Sequence, residues 1–158
     1  MSSREAKFMQ AAVDLARQGM LEGKGGPFGC VIVKDNVIIG AGSNSVTSYN
    51  DPTAHAEIVA IRNACTTLKH FQLTGCELYT SCEPCPMCLG AIYWARPSIV
   101  YFANSREEAT AIGFDDSLIY DQLNVPLEER AIQTVRLQVP DAKSVFEEWS
   151  RKPNKTVY

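Results

Sequence analysis

Residues 28–42, FGCVIVKDNVIIGAG, hold two Val/Ile-rich runs on either side of Asp35-Asn36. Branched apolar residues favour extended backbone. Asp and Asn between two such runs are the turn chemistry of a hairpin. Helical and extended patterns then alternate. Residues 3–22 form an amphipathic helix with Phe8, Ala12, Leu15 and Ala16 at helical spacing, ended by Gly23 and Gly25-Gly26-Pro27. After a polar loop from Ser43 to Asp51, Pro52 suits a first helical turn, and Thr53 to about Leu68 has helical composition. Glu77–Ser81 reads as a strand, Pro86 to Ala95 as a helix, Ser98–Phe102 as a strand and Arg106–Ile112 as a helix. Val135–Val139 is expected to be a last strand and Ala142–Arg151 a last helix. A hairpin followed by this alternation buries both faces of a mixed sheet under helices. One α/β domain over residues 1–158 is expected, with no repeat or linker.

The first ten residues, MSSREAKFMQ, alternate charge and carry no apolar run, so no signal peptide is read there. No stretch approaches the roughly 20 apolar residues of a membrane span. The expected compartment is the cytoplasm, where the six cysteines would stay reduced. Three of them, Cys82, Cys85 and Cys88, crowd into one segment, which points to metal or redox chemistry. The net charge of −3 argues against a nucleic-acid partner, which usually calls for a basic excess. A small molecule is the favoured substrate.

Cys85 and Cys88 are three apart at a predicted helix start, so both thiols share the first turn. The positive end of a helix favours thiolates there. His55, at the other predicted helix start, can add an imidazole. Two thiolates and an imidazole suit one zinc ion per chain and leave a fourth position open, as in catalytic zinc sites. Such a site is formally neutral, so a nearby base is needed. Glu57 lies two residues from His55, off its helix face, which makes it a base and not a fourth ligand. A four-cysteine cluster of the ferredoxin pattern would want a cysteine where Ile92 stands. Cys82 as a fourth, structural ligand is the other alternative. Cys30, Cys65 and Cys76 sit among apolar neighbours and read as core thiols, and His70 as a surface residue.

His55-Ala56-Glu57 with Pro84-Cys85-Pro86-Met87-Cys88 resembles the zinc signature of the cytidine-deaminase superfamily. The runs GGPFG at 25–29, NDPTAHAE at 50–57, TSCEPCPMCLGAIYWARP at 80–97 and GFDDS at 113–117 resemble the bacterial guanine deaminases within it. That resemblance implies a three-layer α/β/α sandwich around a sheet of about five strands, a homodimer, and a role in purine metabolism. It implies hydrolysis of guanine to xanthine and ammonia, with Glu57 acting as base and then acid. Asp116 is implied as the side chain that recognises the polar edge of the base and assists proton transfer; the alternative is a helix cap. Asn44 is implied as a base contact, the alternative being an ordinary turn asparagine; Phe28, after the Gly-Gly-Pro loop, is a candidate to stack on the purine or else a core residue, and Trp94, on the signature helix, is a further pocket candidate. The helix and tail over 140–158, ending in Tyr158, are implied as a cap over the site; a solvated end is the plain alternative. Rival functions are a guanosine or other nucleoside deaminase, a tRNA-adenosine deaminase, and a zinc-stapled binding module in which Glu57 has no task.

Overall fold

The computed structural model describes residues 3–158. Asp35 and Asn36 take φ of 49° and 65°, the left-handed pair that a two-residue hairpin requires. They join strand β1 (Gly29–Lys34) to β2 (Val37–Ser43), and the antiparallel register shifts once after Ile32. Strand β3 (Glu77–Cys82) pairs antiparallel with β1, and β4 (Ile99–Asn104) pairs parallel with β3, giving the order β2-β1-β3-β4. The parallel step is made through helix α4 (Pro86–Ala95), since parallel neighbours need a crossover.

Both faces of β1 are buried. Val31 and Val33 pack with Tyr79 against Phe8, Met9 and Ala12 of helix α1 (Ser3–Leu21). Cys30, Ile32 and Leu78 point the other way, onto Ala56, Ala60 and Ala64 of helix α3 (Ala56–Leu68) and Ile92 and Ala95 of α4. The result is a mixed sheet between helical layers. Ile32 and Leu78 are fully buried, each contributing about 1.5–3 kcal/mol by leaving water. The Arg4 guanidinium donates to both carboxylate oxygens of Glu77, at 2.9 Å each, and ties α1 to β3.

Helix α3 lies directly on the backbone of β2. A Cβ on Gly40 would stand 2.5 Å from the Ala60 carbonyl oxygen, and one on Gly42 2.6 Å from that of Ala56. Nothing larger than glycine fits at either position. The approach fixes the N-terminal end of α3 against the sheet.

The chain divides into two compact units, one ending at Asp116 and one spanning Ser117–Tyr158. The first also carries helices α2 (Val46–Tyr49) and α5 (Arg106–Ala111). The second has helix α6 (Ser117–Leu123), a 3₁₀ turn at Leu127–Glu129 and helix α7 (Pro140–Arg151).

Two expectations are corrected. The sheet has four strands among the described residues, because 135–139 is irregular. Val135, Leu137 and Val139 alternate as a strand would, but all three are exposed; alternation without a neighbouring strand makes no ladder. Pro52 does not open a helix. The Asp51 carboxylate accepts from the Thr53 N–H at 2.8 Å and from its hydroxyl at 2.7 Å, holding a turn that delays α3 to Ala56. Helices α2 and α6 and the 3₁₀ turn were not expected from the sequence.

Candidate metal centre

Helices α3 and α4 begin at the same place in the fold. His55 is the N-cap of α3 and Cys85 the N-cap of α4, both extended, and neither side chain caps its own helix. Pro86 takes the first helical position and Cys88 follows in the first turn. The three side chains therefore turn toward one another. His55 Nδ1 lies 3.5 Å from the Sγ of Cys85 and 3.5 Å from that of Cys88, and all three donor atoms fall within 4.8 Å. Tetrahedral zinc, with bonds of about 2.3 Å to sulfur and about 2.0 Å to nitrogen, would set the nitrogen and sulfur roughly 3.5 Å apart. The donors fit zinc in kind and in spacing. Cys82 is not part of the cluster; its thiol meets the Ser105 carbonyl oxygen at 3.7 Å.

The protonation of the cluster is shared. The Cys85 thiol is pulled down to about 4, chiefly by the neighbouring Cys88 thiol and also by His55. The same pairing with Cys85, aided by burial, pushes Cys88 up. The first proton leaves readily and the second is held, because two adjacent thiolates repel. A cation among them removes that repulsion. His55 is raised above its ordinary value, chiefly by Cys85.

Glu57, in the first turn of α3, is buried, and burial raises its carboxyl. Its Oε2 lies 3.4 Å from Cys88 Sγ, and its Oε1 accepts from the Thr80 hydroxyl at 3.2 Å. Its carboxyl stands beside the group formed by His55, Cys85 and Cys88.

Asn44, directly after β2, is buried, and its Oδ1 accepts from the N–H groups of Gly26 (3.2 Å) and Val46 (3.3 Å). The amide's donor group is Nδ2. Gly25 leaves room for the amide: a Cβ there would stand 2.1 Å from Asn44 Oδ1. Phe28 is half-buried on the core, with Phe114 packed edge-on at 4.8 Å between ring centroids. Asp116 is raised by burial and by the charge of Cys85, and its Oδ1 is buried with no hydrogen-bond partner. Trp94 is 64% exposed on α4, as is its neighbour Tyr93, at 75%, while Cys88 and Ile92 of the same helix are buried. Tyr158 ends the second unit. Cys30 and Cys76 are core thiols and Cys65 packs against the same cluster. His70 is exposed.

Two side chains in contact with these residues escaped the motif reading. Thr80 opens the run TSCEPC, but only the pairing of β3 shows which face its hydroxyl takes. Phe114 sits inside GFDDS, where the charged residues draw attention first.

Residues 2–104 match the sequence model of the cytidine and deoxycytidylate deaminase zinc-binding region. The chain belongs to this family. As a family member it is a zinc-dependent hydrolase. This deaminase is 54% identical over 151 residues to the guanine deaminase of Bacillus subtilis (strain 168), covering 96% of this chain and 97% of that one. The X-ray structure of guanine deaminase from Bacillus subtilis superposes with a TM-score of 0.95 at 52% identity, covering 100% of this chain and 99% of that one. A tRNA-specific adenosine deaminase of Buchnera aphidicola is 44% identical over 102 residues, covering 65% of this deaminase and 62% of the relative.

Proposed function

We propose that the protein hydrolyses guanine to xanthine and ammonia, with zinc held by His55, Cys85 and Cys88. The observation that carries this reading is the extent of the match to guanine deaminase, 96% of the chain at 54% identity. The tRNA-adenosine deaminase relative accounts for only 65% of it. The net charge of −3 also disfavours a nucleic-acid substrate, which rewards a basic surface. A homodimeric, cytoplasmic enzyme of purine metabolism goes with this reading. Among the described residues, no helix is long and apolar enough to cross a membrane.

When bound, zinc supplies Lewis acidity that brings the pKa of a water toward about 7. Glu57 takes one proton of the attacking water and gives it to N3 of the purine, then takes the second proton from the added oxygen and passes it to the amine leaving C2 as the carbonyl forms. Its buried carboxyl, raised by desolvation, suits a group that must both take and give a proton. The Asn44 Nδ2 donates to the carbonyl oxygen of the base. Asp116, whose Oδ1 lacks a partner, accepts from a ring N–H. Phe28 borders the purine plane, with Phe114 buttressing it. The capping role of Tyr158 rests on the resemblance alone.

Two measurements bear on this. Zinc-loaded protein offered guanine and guanosine in parallel should release ammonia from guanine alone, and a chelator should stop it. Release from guanosine alone would overturn the substrate and keep the chemistry; silence with both would remove the proposal. Gly25→Ala tests the Asn44 contact. The new methyl would displace Oδ1 and turn Nδ2 off its target, so KM for guanine should rise about 10-fold or more, the cost of a lost buried hydrogen bond. An unchanged KM would exclude Asn44 from substrate recognition.

A further inference from the structure

We propose that Thr80 is a positioning residue that fixes which oxygen of Glu57 moves protons. The inference rests on the reading of Glu57 as the proton carrier.

Thr80 lies on β3 opposite Cys30 of β1, so its side chain points to the face that carries α3. It is 1% exposed. Leu78, two residues back on the same face, is fully buried and apolar. A hydroxyl in such a layer is unfavourable unless it finds a partner, and valine would fill the same space. The partner is Glu57 Oε1, 3.2 Å away. Threonine is stiff at χ1 because it is branched at Cβ, so the direction of the hydroxyl is set by the strand. Glu57 has a longer and freer side chain. With Oε1 held from the sheet, this hydrogen bond favours one orientation of the carboxylate, and Oε2 is the oxygen on the side of Cys88 Sγ, 3.4 Å off.

The arrangement works in both protonation states. Thr80 donates to Oε1 when Glu57 is a carboxylate. It can still donate to Oε1, then a carbonyl oxygen, when the proton rides on Oε2. Glu57 can therefore accept and return a proton at one oxygen without turning.

Thr80→Val removes the hydroxyl and keeps the shape; Thr80→Ser keeps the hydroxyl and loses the methyl. In zinc-loaded protein, Thr80→Val should retain one zinc per chain and a KM within about threefold, while kcat falls about 10- to 100-fold, as expected of a misplaced catalytic group. Thr80→Ser should stay within about threefold of the parent. A Thr80→Val kcat within threefold, an equal fall for both variants, or loss of zinc in Thr80→Val would each overturn the proposal. Melting of the metal-free protein gives a second readout. Thr80→Val should lower the midpoint by about 3–6 °C when Glu57 is present and hardly at all in a Glu57→Ala background, a coupling that distant residues do not show. Equal shifts in the two backgrounds would also overturn it. If the parent is silent on guanine, or if Glu57→Gln stays active, the underlying reading fails instead, and the melting cycle still tests the Thr80–Glu57 pair.

Discussion

Glu57→Gln protein should carry zinc at the parental stoichiometry and deaminate guanine at least about 1,000-fold more slowly. The size follows from the general acid–base contribution, on the order of 10²–10⁴-fold, and Glu57 serves more than one proton transfer. The amide has the shape of the carboxyl and can still accept from Thr80 through its oxygen, so the buried position stays filled. It cannot take a proton from water. The donor cluster should be undisturbed, because Glu57 flanks His55, Cys85 and Cys88 without joining them. Metal analysis and ammonia release on one preparation decide the matter. Turnover within tenfold of the parent would remove Glu57 from the chemistry. Loss of zinc would show that it supports the metal.

The second large effect concerns the metal itself. Cys88→Ala should abolish zinc binding at micromolar metal and leave no measurable turnover. It should also lower the melting midpoint by about 10 °C relative to zinc-loaded parent. A ligand that binds only the folded state at about 1,000 times its Kd stabilises by about 4 kcal/mol. In a chain of this size each kcal/mol moves the midpoint by roughly 2–4 °C. Cys88 is fully buried in the first turn of α4, while His55 precedes α3, so the metal would join two helices across the site. Chelation of the parent should reproduce most of the shift. Full zinc occupancy in Cys88→Ala would overturn the ligand assignment.

Much of this was readable before the structure, and the reasons are local. The hairpin was legible because Asp35 and Asn36 tolerate the positive φ its turn needs. Helix α4 was legible at both ends, since Pro86 opens it and Arg96, left-handed before Pro97, closes it. The donor cluster was legible because thiols and an imidazole crowded at helix starts point to a metal. The start of α3 was not, because the Asp51 side chain competes with the backbone for the N–H of Thr53. The strand expected at 135–139 failed for a different reason: pairing is a property of two segments, and the alternation of one cannot reveal whether the other exists. Thr80 and Gly25 were silent for the same reason. Their partners, Glu57 and Asn44, lie 23 and 19 positions away in sequence and meet them only through register and loop closure.

The bare contact between β2 and α3 has a consequence for anyone wishing to redesign this enzyme. At Gly40 and Gly42 the strand contributes no side chain and meets the backbone of α3 and the Cβ atoms of Ala64 and Val59 directly, so there is little slack to take up. A larger substrate could not be admitted by sliding the helix that bears His55 and Glu57. On the proposed placement of guanine beside Asn44 and Phe28, new room would have to come from the Gly25–Phe28 loop and the Phe114 ring packed on Phe28.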